Sequence, residues 1–185
     1  MNWIFFAIAG SVAQLIDGAL GMGFGLTSST LLLTLGASAA VASAAVHAAE
    51  IGTTLVSGAS HWRAENIDKD VLVRLAIPGG IGALLGATFL SSIDLSASKI
   101  FISTLLLFLG FLLLYRNLFQ TPNPQIVESK SNPRFLTFLG FSGGFVDAAG
   151  GGGWGPVVTP TLMTATNMTP RKIIGTVSAA EFIVA

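Results

Sequence analysis

Two stretches of this 185-residue chain decide how the rest is read: Gly10-Ser-Val-Ala-Gln-Leu-Ile-Asp17-Gly-Ala-Leu-Gly-Met-Gly-Phe-Gly25 and Gly140-Phe-Ser-Gly-Gly-Phe-Val-Asp147-Ala-Ala-Gly-Gly-Gly-Gly-Trp-Gly155. They align without gaps, acid on acid and glycine on glycine. After a one-residue insertion, Ala48-Ala-Glu50 falls on Ala179-Ala-Glu181. A match of this kind at a fixed offset is the mark of an internal repeat. Each stretch also interrupts an apolar run with glycines, which let the backbone adopt positive φ and approach other groups closely.

Around these stretches the chain is too apolar for a water-soluble fold. It is 52% hydrophobic and 10% charged with a mean hydropathy of +0.76, against roughly 25% charged in soluble domains. Segments 38–60, 71–92 and 97–118 each supply the ~20 apolar residues that a spanning helix needs. Residues 3–16 and 26–36 are apolar but short, about 20 and 16 Å at roughly 1.5 Å per residue. With the glycines between them they read as a broken, re-entrant hairpin over 3–36. The layout returns over 135–166, with arms at 135–147 and 157–166 and a break over Ala148–Gly155, followed by the start of a helix at 173–185.

The expected organisation is a first transmembrane repeat over 1–130 and a second, incomplete one over 131–185, separated by the polar linker 120–133. The second repeat stops inside an apolar run, which suggests a truncated chain lacking about three helices. Basic residues favour cytoplasmic loops. If each glycine segment crosses once, they divide six (Arg63, Lys69, Arg74, Arg116, Lys130, Arg134) against three (Lys99, Arg171, Lys172); if each enters and returns, only Lys99 of the nine lies outside. The re-entrant reading fits the charge rule better. It places three full crossings in the first repeat, inverts the second, and leaves the N-terminus outside. The fold class expected is an all-α membrane protein, a polytopic bundle with inverted repeats and broken glycine-rich helices, the architecture of many secondary transporters.

Of the 18 Asp, Glu, Lys and Arg residues, 14 fit loops or helix ends; Asp17, Glu50, Asp147 and Glu181 fall at membrane depth, as two repeat-related pairs. A carboxylate at the bilayer centre costs about 2.5–3.5 kcal/mol on insertion scales, so each needs burial, a partner or a proton. Asp17 and Asp147 are suited to capping the second half-helix through its freed N–H groups, or to a direct substrate or proton role. His47, Glu50 and Thr54 share one helix face. That face reads either as a proton relay, which Glu181 would extend into the other repeat, or as a hydrogen-bonded helix contact. A zinc site from His47 and Glu50 alone lacks ligands.

The glycines Gly18, Gly21, Gly23 and Gly25, and Gly150, Gly151, Gly152, Gly153 and Gly155, admit two readings: helix N-termini pointed at an anion, or tight packing. Thr27, Ser28, Ser29, Thr159 and Thr161 could add hydroxyl donors, or bond backbone carbonyls. No basic run points to nucleic acid, and no Gly-x-Ser-x-Gly or His-Glu-x-x-His supports the rival reading of a membrane enzyme. There is no cysteine.

Asp-Gly-Ala-Leu-Gly-Met-Gly-Phe-Gly25 and Asp-Ala-Ala-Gly-Gly-Gly-Gly-Trp-Gly-Pro156, each followed by a helix with Ala-Ala-Glu, resemble the sulfite exporter TauE/SafE family of membrane permeases. The resemblance spans the whole chain. It implies a multi-pass permease of the bacterial cytoplasmic (inner) membrane that moves small anions such as sulfite, sulfonates or related organic acids, driven by the proton gradient. On the matching positions it implies an anion site at Asp17, Gly21, Gly23, Gly25, Asp147, Gly151, Gly152, Gly153 and Gly155. Glu50, Glu181 and His47 are the expected proton-coupling residues. No cofactor or metal is expected; the lipid bilayer, protons, the small anion and a homo-oligomeric partner complete the expectations. The remaining alternative is a non-transporting scaffold or degenerate fragment.

Overall fold

The computed structural model describes Ile8 and residues 23–119 and 132–185. Asp17, Gly18 and Gly21, with the first arm of the first glycine segment, lie outside the described residues. What is described is helical, in seven consecutive helices: α1 Phe24–Thr34, α2 Ala39–Arg63, α3 Lys69–Ser92, α4 Leu95–Phe119, α5 Pro133–Gly150, α6 Trp154–Ala165 and α7 Pro170–Val184. Three are long and apolar enough to cross a membrane: Ala39–Arg63, Lys69–Ser92 and, within α4, Ser96–Tyr115. The protein is a helical membrane protein.

Local chemistry sets the helix ends. Ser38 caps α2 by accepting from the Val41 N–H at 3.3 Å. The Asp68 carboxylate accepts from the Asp70 and Val71 N–H groups at 3.1 Å, and Asp94 does the same for Ser96 and Ala97. These are the residue types that satisfy orphan N–H groups at N-termini. Proline opens α5 after Asn132 and α7 after Thr169, at the first helical position where its missing N–H is no loss.

The second glycine segment is arranged differently from the expectation. Its first arm is not confined to 135–147 but runs over Pro133–Gly150, about 27 Å at 1.5 Å per residue. Its second arm begins at Trp154 rather than at 157, and the last helix begins at Pro170 rather than at 173. The non-helical break is therefore Gly151-Gly152-Gly153, narrower than Ala148–Gly155. Tertiary packing explains the extension: Ala148, Ala149 and Gly150 are buried, and a Cβ on Gly150 would meet Leu105 at 2.8 Å.

Large apolar side chains such as Leu75, Leu136, Trp154 and Leu162 fill the core, but α2 turns small and polar residues inward and apolar ones outward. On α2 the buried face is Ala39, Ala42, Ser43, Val46, Glu50, Thr54 and Gly58, while Val41, Leu55 and Val56 are exposed. α4 presents Leu107, Phe108, Phe111 and Leu118 outward. This inversion suits lipid, where apolar surface is not driven inward and helices associate through small residues.

The most extensive contact is α3 against α5. Here Gly82 faces the Phe141 carbonyl, Gly86 the Phe145 carbonyl and Gly144 the Gly79 carbonyl, each too close to admit a side chain; a Cβ on Gly140 would lie 2.5 Å from the Leu75 carbonyl oxygen. α7 packs on α2 and α3. Trp154, fully buried, ties these layers together. Its ring would stand 3.0 Å from a Cβ on Gly79, and its indole N–H donates to the Val177 carbonyl at 3.2 Å.

Candidate functional site

The second break is organised by one residue. The Asp147 main-chain carbonyl accepts from the Gly151 and Gly152 N–H groups at 2.7 and 3.2 Å. Its Oδ1 accepts from the N–H groups of Gly153 at 2.7 Å and Trp154 at 2.9 Å. Four consecutive N–H groups are thus held by one buried aspartate. Gly151 at φ +70° and Gly152 at φ +137° take the left-handed backbone that turns these donors inward and that side chains disfavour.

Of the two readings of Asp147 the contacts follow the capping one, so the amides expected for an anion across Gly150–Gly155 are partly engaged within the chain. Gly151, Gly152 and Gly153 donate to Asp147 instead. Pro156, third in α6, has no N–H, so the Gly155 N–H is the remaining donor of that first turn.

The two glycine segments meet. Gly25, in the first turn of α1, packs its backbone directly on Gly152. The Ser29 hydroxyl donates to the Gly151 carbonyl, and the Ser43 hydroxyl donates to the Ala148 carbonyl at 3.2 Å. Gly23, at φ +118°, precedes α1 as its N-cap. A Cβ on Gly25 would lie 2.7 Å from Glu50 Oε1, which places Glu50 beside the crossing.

Behind Glu50 runs a line of ionisable groups from both glycine-bearing halves of the chain. His47 Nδ1 lies 3.2 Å from Glu50 Oε2, within hydrogen-bonding reach. On its other side His47 Nε2 faces Asp147 Oδ2 at 4.0 Å. Both of these facing atoms are buried and have no hydrogen-bond partner among the described residues. Glu50 and Asp147 are 3% and 1% exposed, and the His47 side chain between them is 16% exposed.

That cavity has a volume of about 160 Å³ and lies between the crossed segments. Gly23, Phe24 and Gly25 line it from α1 and its cap, and Gly152, Gly155 and Pro156 from the second break. Glu50 on α2 and Glu181 on α7 both reach its wall. Hydroxyl residues Thr53, Thr54, Ser57, Thr159 and Ser178 complete the polar lining.

Of the residues singled out in the sequence, Gly23, Gly25, Gly152, Gly155, Glu50 and Glu181 thus come together on one cavity. Asp147, Gly151, Gly153 and His47 stand behind it. Thr27 and Thr161 instead bond carbonyls of their own helices, at Gly23 and Val157. Sequence reasoning passed over Thr53, Ser57 and Ser178 as wall residues. Ser57 is seven residues after Glu50 and Ser178 three before Glu181, so helical spacing from each acid was the available signal.

His47, Glu50 and Asp147 bring three groups of ligating type within 4.8 Å of one another. The set does not suit a closed metal centre. Among the described residues the three groups offer one ligand atom each, three where structural zinc uses four.

A curated relative, the probable membrane transporter protein YtnM of Bacillus subtilis (strain 168), is 49% identical over 183 residues, covering 98% of this chain and 61% of that protein. The chain therefore spans somewhat under two thirds of the length of the relative it matches. No solved structure matches. The family model described as sulfite exporter TauE/SafE matches residues 6–185, and with that match the chain belongs to the sulfite exporter TauE/SafE family.

Proposed function

We propose that this chain forms the core of a secondary-active, multi-pass permease of the bacterial inner membrane, which moves a small anion such as sulfite, a sulfonate or a related organic acid with proton coupling. The observation that carries the reading is the single cavity bordered by both glycine segments and by both glutamates, Glu50 and Glu181. Its size supports a small solute: about 160 Å³ is well below the roughly 300–1,000 Å³ of pockets for drug-sized molecules. Two first-turn amides, at Gly25 and Gly155, and the hydroxyls of Ser57, Thr159 and Ser178 suit an oxyanion, while Thr53 and Thr54 donate to carbonyls of their own helix. The duplication, with the inversion of the second unit that the basic residues predict, fits alternating access around a central site.

Two carboxylates on the wall of an anion site oppose the substrate unless they bind protons. That conflict supports proton coupling. It also assigns Glu50 and Glu181 as the groups that load protons from the cavity.

The test is uptake of radiolabelled sulfite into proteoliposomes containing the protein expressed from its complete reading frame. Uptake should follow an imposed proton gradient, compete with methanesulfonate, and fall at least about tenfold in the Glu50→Gln and Glu181→Gln variants, as removal of a coupling group of ordinary strength predicts. Reconstituted protein that moves no anion under any imposed gradient would sink the proposal.

A further inference from the structure

We infer that Asp147 makes proton binding and anion binding favour one another, because the carboxylate that caps α6 is also the terminus of the His47 series. This rests on the anion-permease reading above and adds a direction to it, a proton travelling with the anion rather than against it.

The inference starts from the two oxygens of Asp147, which have different work. Oδ1 holds the Gly153 and Trp154 N–H groups at 2.7 and 2.9 Å. Oδ2 is buried, has no hydrogen-bond partner among the described residues, and points at His47 Nε2 across 4.0 Å. A proton arriving from Glu50 through the imidazole would therefore be placed on Oδ2: the His47 Nε2–H bond breaks, the Oδ2–H bond forms, and Nδ1 takes the replacing proton from Glu50. The gap must close by about an ångström for the transfer, a side-chain movement rather than a helix movement, since hydrogen-bonded N···O pairs sit at roughly 2.7–3.2 Å.

Protonation changes what the end of α6 offers. A carboxylate at a helix N-terminus offsets the positive end of the helix dipole. Hydrogen bonds to an ionised acceptor are about twice as strong as those to a neutral one. When Asp147 is neutral, the dipole of α6 is no longer offset from behind. The next donor along, the Gly155 N–H, borders the cavity and then attracts an anion more strongly. A bound anion in turn disfavours the negative form of Asp147. By linkage the two effects are equal.

Among the described residues, the other groups around Asp147 do not compete for this role. From α2, His47 faces it with Glu50 behind; α6 contains no titratable side chain. α3 meets α5 here through Gly79, Gly82 and Gly86. On α4 the neighbour of Gly150 is Leu105, and Lys99 and Tyr115 are exposed. Glu181, on α7, belongs to the cavity wall.

The experiment measures binding of methanesulfonate, whose charge is fixed across the working pH range, to the complete protein in detergent. Titration calorimetry in two buffers of different ionisation enthalpy gives the protons taken up per anion. Wild type should take up close to one proton, and should bind about tenfold more tightly at pH 6 than at pH 8, inside the roughly 5–150-fold span of ordinary site-to-site coupling. Asp147→Asn keeps an acceptor oxygen for the two amides, so the break stays capped. This variant should show a clearly smaller difference in affinity between the two pH values than wild type, and reduced proton uptake. Glu65→Gln, at an exposed position away from the cavity, serves as comparison and should retain the difference between the two pH values. Proton release on binding, or a pH dependence in Asp147→Asn equal to that of wild type, overturns the inference while leaving an anion site in place. Failure of methanesulfonate and sulfite to bind at either pH overturns the anion site itself, and the inference with it.

Discussion

Asp147 satisfies four amides with two acceptor atoms, its main-chain carbonyl oxygen and Oδ1. Removing the carboxylate should leave the Gly153 and Trp154 N–H groups buried without an acceptor, at a cost of about 1–3 kcal/mol. Asp147→Ala is therefore expected to unfold at a clearly lower temperature than wild type in detergent, whereas Asp147→Asn, which retains the acceptor, should lie close to it. Equal losses in both variants would show that the charge, and not the cap, holds the break. The capping role was legible in the sequence, because an acid six and seven residues before a half-helix start is placed to reach its first N–H groups. The approach of His47 Nε2 to Asp147 Oδ2 was not. It joins residues exactly one hundred positions apart through packing that no local pattern encodes.

At the scale of helices, the glycines fall into two populations with opposite expected behaviour. Gly82, Gly86, Gly140 and Gly144 put backbone against backbone between α3 and α5, whereas a Cβ on Gly52 or Gly80 would meet nothing within 4 Å. Gly144→Leu should force the two helices apart and lower the yield of folded protein severely. Gly80→Leu should leave it unchanged or improve it slightly, because glycine is about 1 kcal/mol poorer than alanine within a helix. Size-exclusion profiles and thermal unfolding of the two variants check this, and equal tolerance would remove the packing argument. Here the sequence was only partly readable. It showed where glycine was abundant but not which glycines faced a neighbour, and it ended α5 too early because Ala148-Ala-Gly150 looks like a break until Leu105 is seen packed against it.

For the whole molecule, length and hydropathy were enough to find the three membrane-crossing candidates, since lipid demands long apolar helices whatever the packing. Composition could not reveal that both glycine segments and both glutamates share one cavity, which depends on how α1 and α6 cross. The proposed inverted arrangement predicts sidedness. The chain contains no cysteine, so single cysteines can be introduced without first removing any. Cysteines replacing Lys99 should react with an impermeant maleimide from outside intact cells, and those replacing Arg63, Arg134 or Arg171 only after the membrane is opened. Labelling of Arg171→Cys from outside would favour glycine segments that cross fully.

Trp154 gives the molecule a further property. Its indole is wholly enclosed, sits on the last residue that Asp147 caps, and is anchored to α7 through Val177. Any loosening of the break during a transport cycle would change the polarity around that ring. The protein thus carries an intrinsic fluorophore at the hinge of its proposed cycle, and with Trp3 and Trp62 as its other tryptophans, replacing those two by phenylalanine would leave an optical read-out of each opening without any attached dye.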